Sequence, residues 1–153
     1  MLKWCHELLL QKCKKLSNER KKVFVYGTLR KGFGNHNGCL AKEDTVSLGN
    51  GKTKVKMNMI AHGYPMVTDR YSDENDNFIV GELYEVSDAT VKGPLDGLEG
   101  HPSFFERVLT PIVMEDGTEE EAWMYYLHHK GANYGSGAVP TGDFKIFKDE
   151  QRK

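Results

Sequence analysis

Residues 22–38 read KVFVYGTLRKGFGNHNG, and this stretch decides the fold class. Its first five residues, Lys22–Tyr26, are largely β-branched and aromatic and read as a strand. The next twelve, Gly27–Gly38, are glycine-rich and read as a loop for much of their length. Gly32-Phe33-Gly34 begins like a dinucleotide fingerprint, but position 37 is Asn and no βαβ unit comes after it. A strand that runs into a long loop, with no crossover helix, argues for an α+β unit over a doubly wound parallel sheet.

The segments on either side extend this reading. Residues 2–20 form an amphipathic pattern, with Leu2, Cys5, Leu9, Cys13 and Leu16 at spacings of three and four and lysines between them. Such a helix suits packing on the domain or on another protein chain, and its basic face also suits a membrane surface. Thr53–Ile60, TKVKMNMI, alternates, with Val55, Met57 and Met59 on one side and Lys54, Lys56 and Asn58 on the other. Ala61–Pro65 reads as a turn and Tyr71–Asn77 as an acidic loop. Phe78–Val86 is a strand in which Gly81 marks a bulge or a close backbone approach. Ser87 or Asp88 can cap a short helix toward Leu98, broken at Gly93-Pro94. Arg107–Met114 and Glu121–His128 read as strands joined at Glu115–Thr118, and the tail from Gly131 reads as mostly irregular. The domain expectation is a helix over 1–22, a folded unit over 23–147 and a charged tail over 148–153.

Composition fits one globular domain. The chain has 153 residues, 39% hydrophobic and 28% charged, with a formal net charge of −1. No global field draws it to nucleic acid. Residues 1–22 are locally basic, with seven cationic side chains against two acidic ones. Three cysteines without a Cys-x-x-Cys pair argue against a disulfide framework and for a cytoplasmic location. No apolar run is long enough to span a bilayer.

Two segments can carry chemistry. The glycine of Tyr26-Gly27-Thr28-Leu29-Arg30 lets backbone N–H groups approach a ligand, which suits a carboxylate or a developing oxyanion. In Asp96-Gly97-Leu98-Glu99-Gly100-His101-Pro102, a half-buried Glu99 would have a raised pKa suited to proton transfer near neutrality. Arg30 is read either as a carboxylate ligand or as a solvated cation. His128 and His129, placed on opposite faces of a strand, cannot jointly chelate, and His36, His62 and His101 lack ligand spacing, so no metal site and no cofactor are expected. Trp123, Tyr125 and Leu127 form one strand face, read as core, and Tyr126 the opposite face, read as a pocket wall.

VFVYGTLRKG, then GELYEV, LDGLEGHPSFFERV and WMYYL, in this order from Val23 to Leu127, resemble the γ-glutamylcyclotransferase-like family and most of all its γ-glutamylamine cyclotransferase branch. A weaker likeness continues through Val139–Phe144. The resemblance implies a small barrel-like α+β fold with a mixed sheet and short helices. It also implies that a small γ-glutamyl substrate closes on itself to 5-oxoproline and releases an amine. Glu99 takes the place of the catalytic glutamate. Tyr26, Gly27, Thr28, Leu29 and Arg30 take the place of the loop that holds the glutamyl group, with His36, Tyr64, Phe105 and Tyr126 as further candidate substrate contacts. Three departures stand out: Phe105 replaces a tyrosine of the family, Gly93-Pro94 interrupts the helix before Glu99, and the N-terminal helix is extra. A non-catalytic small-molecule binder that uses the same pocket is the alternative, and a partner module built on the N-terminal helix is a third.

Overall fold

The computed structural model describes residues 19–61, 63–70, 76–130 and 137–152. The expected N-terminal helix lies almost wholly outside them. Six strands are present: β1 (Arg20–Val25), β2 (Val46–Ala61), β3 (Pro65–Thr68), β4 (Asn77–Ser87), β5 (Glu106–Met114) and β6 (Glu119–Tyr126). β1 starts at Arg20, two residues before the strand expected from Lys22. The strand order is β3-β2-β4-β1-β6-β5, and β2 also pairs with β5. That extra pairing closes β2, β4, β1, β6 and β5 into a five-stranded ring, with β3 as a flap on β2. The barrel-like mixed sheet is as expected.

β1 is the central strand. It runs antiparallel to β4, with Val23 opposite Tyr84, and parallel to β6, with Val23 beside Trp123. Both of its faces are covered: Val23, Phe24 and Val25 are all buried. This explains why its sequence is an unbroken apolar run and does not alternate. One core gathers Phe24, Leu83, Ile112, Ala122, Met124 and Tyr126. The other gathers Val23, Val25, Tyr84, Val86, Tyr125 and Leu127, and the helical segment after β4 supplies Val91 and Leu95 to it.

That segment places the site. Ser87 caps it, its hydroxyl accepting from the Thr90 N–H at 3.2 Å. Helix α1 (Gly34–Cys39) lies earlier in the chain, inside the glycine-rich loop, and helix α2 (Asp88–Thr90) comes directly after Ser87. A π-turn over Val91–Leu95 then absorbs Pro94 and leads straight into α3 (Asp96–Glu99). The proline widens the helix instead of ending it.

Gly81 marks a close approach and not a bulge. A Cβ there would lie 2.3 Å from the Val25 carbonyl oxygen and 2.7 Å from Phe24 Cζ. Gly81→Ala is therefore expected to destabilise the protein by about 1–3 kcal/mol through overpacking. Urea unfolding measures this, and an unchanged midpoint would contradict the close seating of β1 on β4.

Three expectations need correction. β2 is longer than its alternating stretch, and its pairing with β4 shifts between Lys52 and Lys56. The irregularity turns Val55 out to 63% exposure while Thr53 is buried, so simple alternation fails there. The described part of the tail is not irregular throughout: α4 (Phe144–Gln151) runs through its charged part, capped by Asp143, which accepts from the N–H groups of Lys145 at 2.9 Å and Ile146 at 3.3 Å. Strand β3 went unread, and the Ala61–Pro65 turn is narrower than expected, because Ala61 ends β2 and Pro65 opens β3. None of the described helices is long and apolar enough to cross a membrane.

Candidate active site

At the end of β1 the chain turns sharply, the Arg30 N–H donating to the Gly27 carbonyl at 3.0 Å. The turn is held from every side. The Tyr26 hydroxyl donates to the Tyr125 carbonyl at 2.6 Å. Asn35 Nδ2 donates to Thr28 Oγ1 at 2.8 Å, and His36 Nδ1 lies 2.9 Å from the Leu29 carbonyl. A Cβ on Gly27 would fall 2.6 Å from Pro65 Cγ, so only glycine lets β3 close over the turn without a shift. Among the described residues, the backbone N–H groups of Thr28 and Leu29 have no acceptor. They are fixed donors without a partner.

Arg30 does the anchoring. It is 6% exposed. Its Nε donates to Glu82 Oε2 at 3.1 Å and its Nη1 to Asp143 Oδ1 at 2.9 Å. Glu82 also accepts from the Lys31 N–H at 2.8 Å, the Tyr84 hydroxyl at 2.8 Å and Lys145 Nζ at 3.1 Å. Burial alone would push the Glu82 carboxyl up, but these donors outweigh it and hold its pKa at about 2. Arg30 is thus not a solvated cation, which corrects that reading of it, and the carboxylates it holds are the protein's own Glu82 and Asp143.

Glu99 ends α3, and Gly100 comes next in the left-handed conformation at φ 67°. Burial raises the Glu99 pKa to about 7. Three residues earlier, Asp96 has the opposite fate. Burial acts upward on it too, but Arg107 Nε at 2.9 Å, Arg107 Nη2 at 3.2 Å and the Tyr125 hydroxyl at 2.6 Å pull its pKa below the usual value. One short helix thus carries two carboxyl groups pushed in opposite directions, and their environments assign their roles. Asp96 pins α3 to β5 and β6, and Glu99 is left able to exchange a proton near neutrality.

A small cavity, open to solvent, joins these parts. It brings together seven of the ten residues expected at the site: Tyr26, Gly27, Thr28, Leu29, Tyr64, Glu99 and Phe105. Arg30, His36 and Tyr126 do not line it. His36 supports the loop from behind, against Tyr84. Tyr126 belongs to the opposite core, because strand alternation puts it on the face away from Tyr125. The lining residues that sequence reasoning left out are Phe24, Val25, Pro65 and Tyr125. Tyr125 was legible as core, and the cavity opens in that same face.

The pair His128–His129 also differs from expectation. β6 ends at Tyr126 and His129 adopts φ 57°, so the two rings do not alternate but lie 3.7 Å apart. With Asp69 they bring one ligand-type atom each within 4.8 Å of one another. Asp69 already engages both, taking His128 Nδ1 at 2.7 Å and the His129 N–H at 2.7 Å.

Comparison with known proteins agrees with this fold. A family model described as gamma-glutamyl cyclotransferase, AIG2-like, matches residues 23–146. A Methanocaldococcus jannaschii protein with a provisional gamma-glutamylcyclotransferase name is 40% identical over 126 residues, 82% of this chain and 97% of that protein. A Drosophila melanogaster protein with the same provisional description is 35% identical over 113 residues, 71% of this chain and 70% of its own length. The crystal structure of an AIG2-like protein from Mus musculus superposes with a TM-score of 0.62 at 25% identity, covering 74% of this chain and 80% of that one. An uncharacterised Pyrococcus horikoshii protein shares the fold, with a TM-score of 0.62 at 19% identity over 86% of this chain and 96% of its own. The chain belongs to the gamma-glutamyl cyclotransferase, AIG2-like family and is a cyclotransferase enzyme.

Proposed function

We propose that the protein cleaves γ-glutamyl amines, closing the glutamyl part to 5-oxoproline and releasing the free amine. The catalytic unit of this reading spans residues 23–147, works without a cofactor and acts in the cytoplasm. One observation carries it: a carboxyl group with a pKa of about 7 shares a cavity with the unpartnered Thr28 and Leu29 amides.

The substrate α-amine attacks its own γ-carbonyl, so the nucleophile arrives with the substrate and no covalent protein residue is needed. Curling the chain for attack supplies much of the rate as prepaid entropy. As the new C–N bond forms, the carbonyl oxygen gains negative charge, and the Thr28 and Leu29 N–H groups donate hydrogen bonds to it. Glu99 takes the proton from the attacking nitrogen. It returns one to the leaving nitrogen as the old C–N bond breaks, ending in its starting state. No described cation lines the cavity, so backbone donors must hold the anionic parts of the substrate.

The pH profile is a direct test. Only ionised Glu99 can accept a proton, so kcat/KM should rise with pH and level off above its pKa. The acid limb is expected at about 7, set by burial of Glu99. Release of 5-oxoproline, measured by mass spectrometry between pH 4 and 9, reads it. An acid limb at the ordinary glutamate value would mean that Glu99 is not the proton acceptor.

A further inference from the structure

We propose that a second recess beside Glu99 holds the leaving amine and selects one that carries an uncharged apolar or aromatic group. The subsite rests on the ring-closure reaction. The recess has about 640 Å³ of space open to solvent and shares Thr28, Tyr64, Glu99 and Phe105 with the catalytic cavity. A glutamyl unit curled over the Thr28 and Leu29 amides would therefore direct its departing half past Glu99 and into this recess.

Its outer wall is Leu98 and Phe104, with Asn35 as an added polar group. Leu98 is 44% exposed, Tyr64 44% and Phe104 38%. Large apolar side chains left open singly are ordinary, but three around one recess mark a surface that is covered when occupied. Leu98 precedes the catalytic candidate on α3. Phe104 stands beyond the Gly100 turn, its N–H donating to the Gly100 carbonyl at 2.9 Å and its ring 4.7 Å from that of Phe105. The two walls come from opposite ends of one short segment, so both are set by the fold that sets Glu99.

Charge points the same way. Among the described lining residues Glu99 is the only carboxylate, and the reaction occupies it with proton transfer. Asp96, the other acid of α3, is bound to Arg107 and Tyr125. A distal ammonium, as on a diamine or a lysine side chain, would find no described counter-charge there. A phenyl or branched alkyl group would lose only water-exposed apolar surface.

The experiment compares 5-oxoproline release from four compounds: the γ-glutamyl amides of methylamine, isopentylamine, phenethylamine and 1,5-diaminopentane. The isopentyl and phenethyl compounds should exceed both the methyl and the diaminopentane compounds in kcat/KM by about 10-fold or more, the scale on which apolar pockets discriminate. Leu98→Ala and Phe104→Ala should each reduce the phenethyl-to-methyl ratio several-fold. A merely structural role would lower both substrates together and leave the ratio alone. A flat series, or a preference for the diaminopentane compound, overturns the subsite while the cyclotransferase reading stands. No 5-oxoproline from any of the four removes that reading and the subsite with it.

Discussion

Glu99→Gln is expected to abolish most turnover while making the protein more stable at neutral and alkaline pH. The activity loss should be about 10²–10⁴-fold, the usual contribution of a positioned acid–base group. The stability gain arises from the same burial. The Glu99 pKa rises on folding, from an ordinary value of 4.5 to about 7. The folded protein thus binds its proton more tightly than the unfolded chain. Stability is unaffected below the unfolded value and falls as pH climbs between the two. Above the folded pKa the full cost is present, about 3 kcal/mol by the relation between pKa shift and free energy. Glutamine has no charge to bury and escapes it. Thermal unfolding should place the variant roughly 5–10 °C above the parent at pH 8. At pH 4 the two should coincide. A variant that loses activity but gains no stability at pH 8 would show that Glu99 is not desolvated in the resting enzyme.

Arg30→Met should produce the reverse pattern, a large loss of stability that drags activity down with it. The substitution leaves the buried Glu82 and the part-buried Asp143 without their shared cation. Breaking a buried pair from one side costs about 3–5 kcal/mol, far more than the pair itself contributes. Lys145 still reaches Glu82 at 3.1 Å, so the lower end of that range is expected. The damage should spread along three elements at once: the substrate loop after β1, strand β4 and the cap of α4. Urea unfolding reads the stability. A fall in kcat at little-changed KM would place the residue as a positioning group for the Thr28–Leu29 amides. Arg30→Lys should recover only part of the loss, because an ammonium cannot serve two carboxylates in the fixed directions of a guanidinium. A loss below about 1 kcal/mol for Arg30→Met would mean that the loop is ordered by other contacts.

Much of the fold was legible from the chain itself, and the failures have physical causes. The first strand, β4 and β6 show in their apolar pattern because each is buried over half or more of its length, and β5, which buries only Thr110 and Ile112, shows by its β-branched residues and by the turn that follows it. Glu99 and the Tyr26–Leu29 loop were placed by their order in a family pattern; nothing in a lone Glu beside a glycine announces burial. α4 was missed although Asp143 supplies an N-cap and Phe144 and Phe147 recur at a helical spacing. β3 has only four residues and begins with proline, which leaves little pattern to read. Arg30 could not be read correctly, because its partners lie 52 and 113 residues away and only the closed ring brings them to it. His128 and His129 misled because the strand stops at Tyr126, and alternation ends where the strand does.

Among the strand pairs of the ring, β1 and β6 alone run in the same direction. Their last residues therefore emerge at one rim, which is why the substrate turn and the segment after Tyr126 are neighbours. The Glu115–Thr118 turn, at the start of β6, opens on the other rim. The barrel thus has two mouths, and the far one is separated from Glu99 and the Thr28–Leu29 amides by the full length of the strands. A change in the length or charge of that hairpin is therefore expected to leave the shape of the mouth beside Glu99 unaltered.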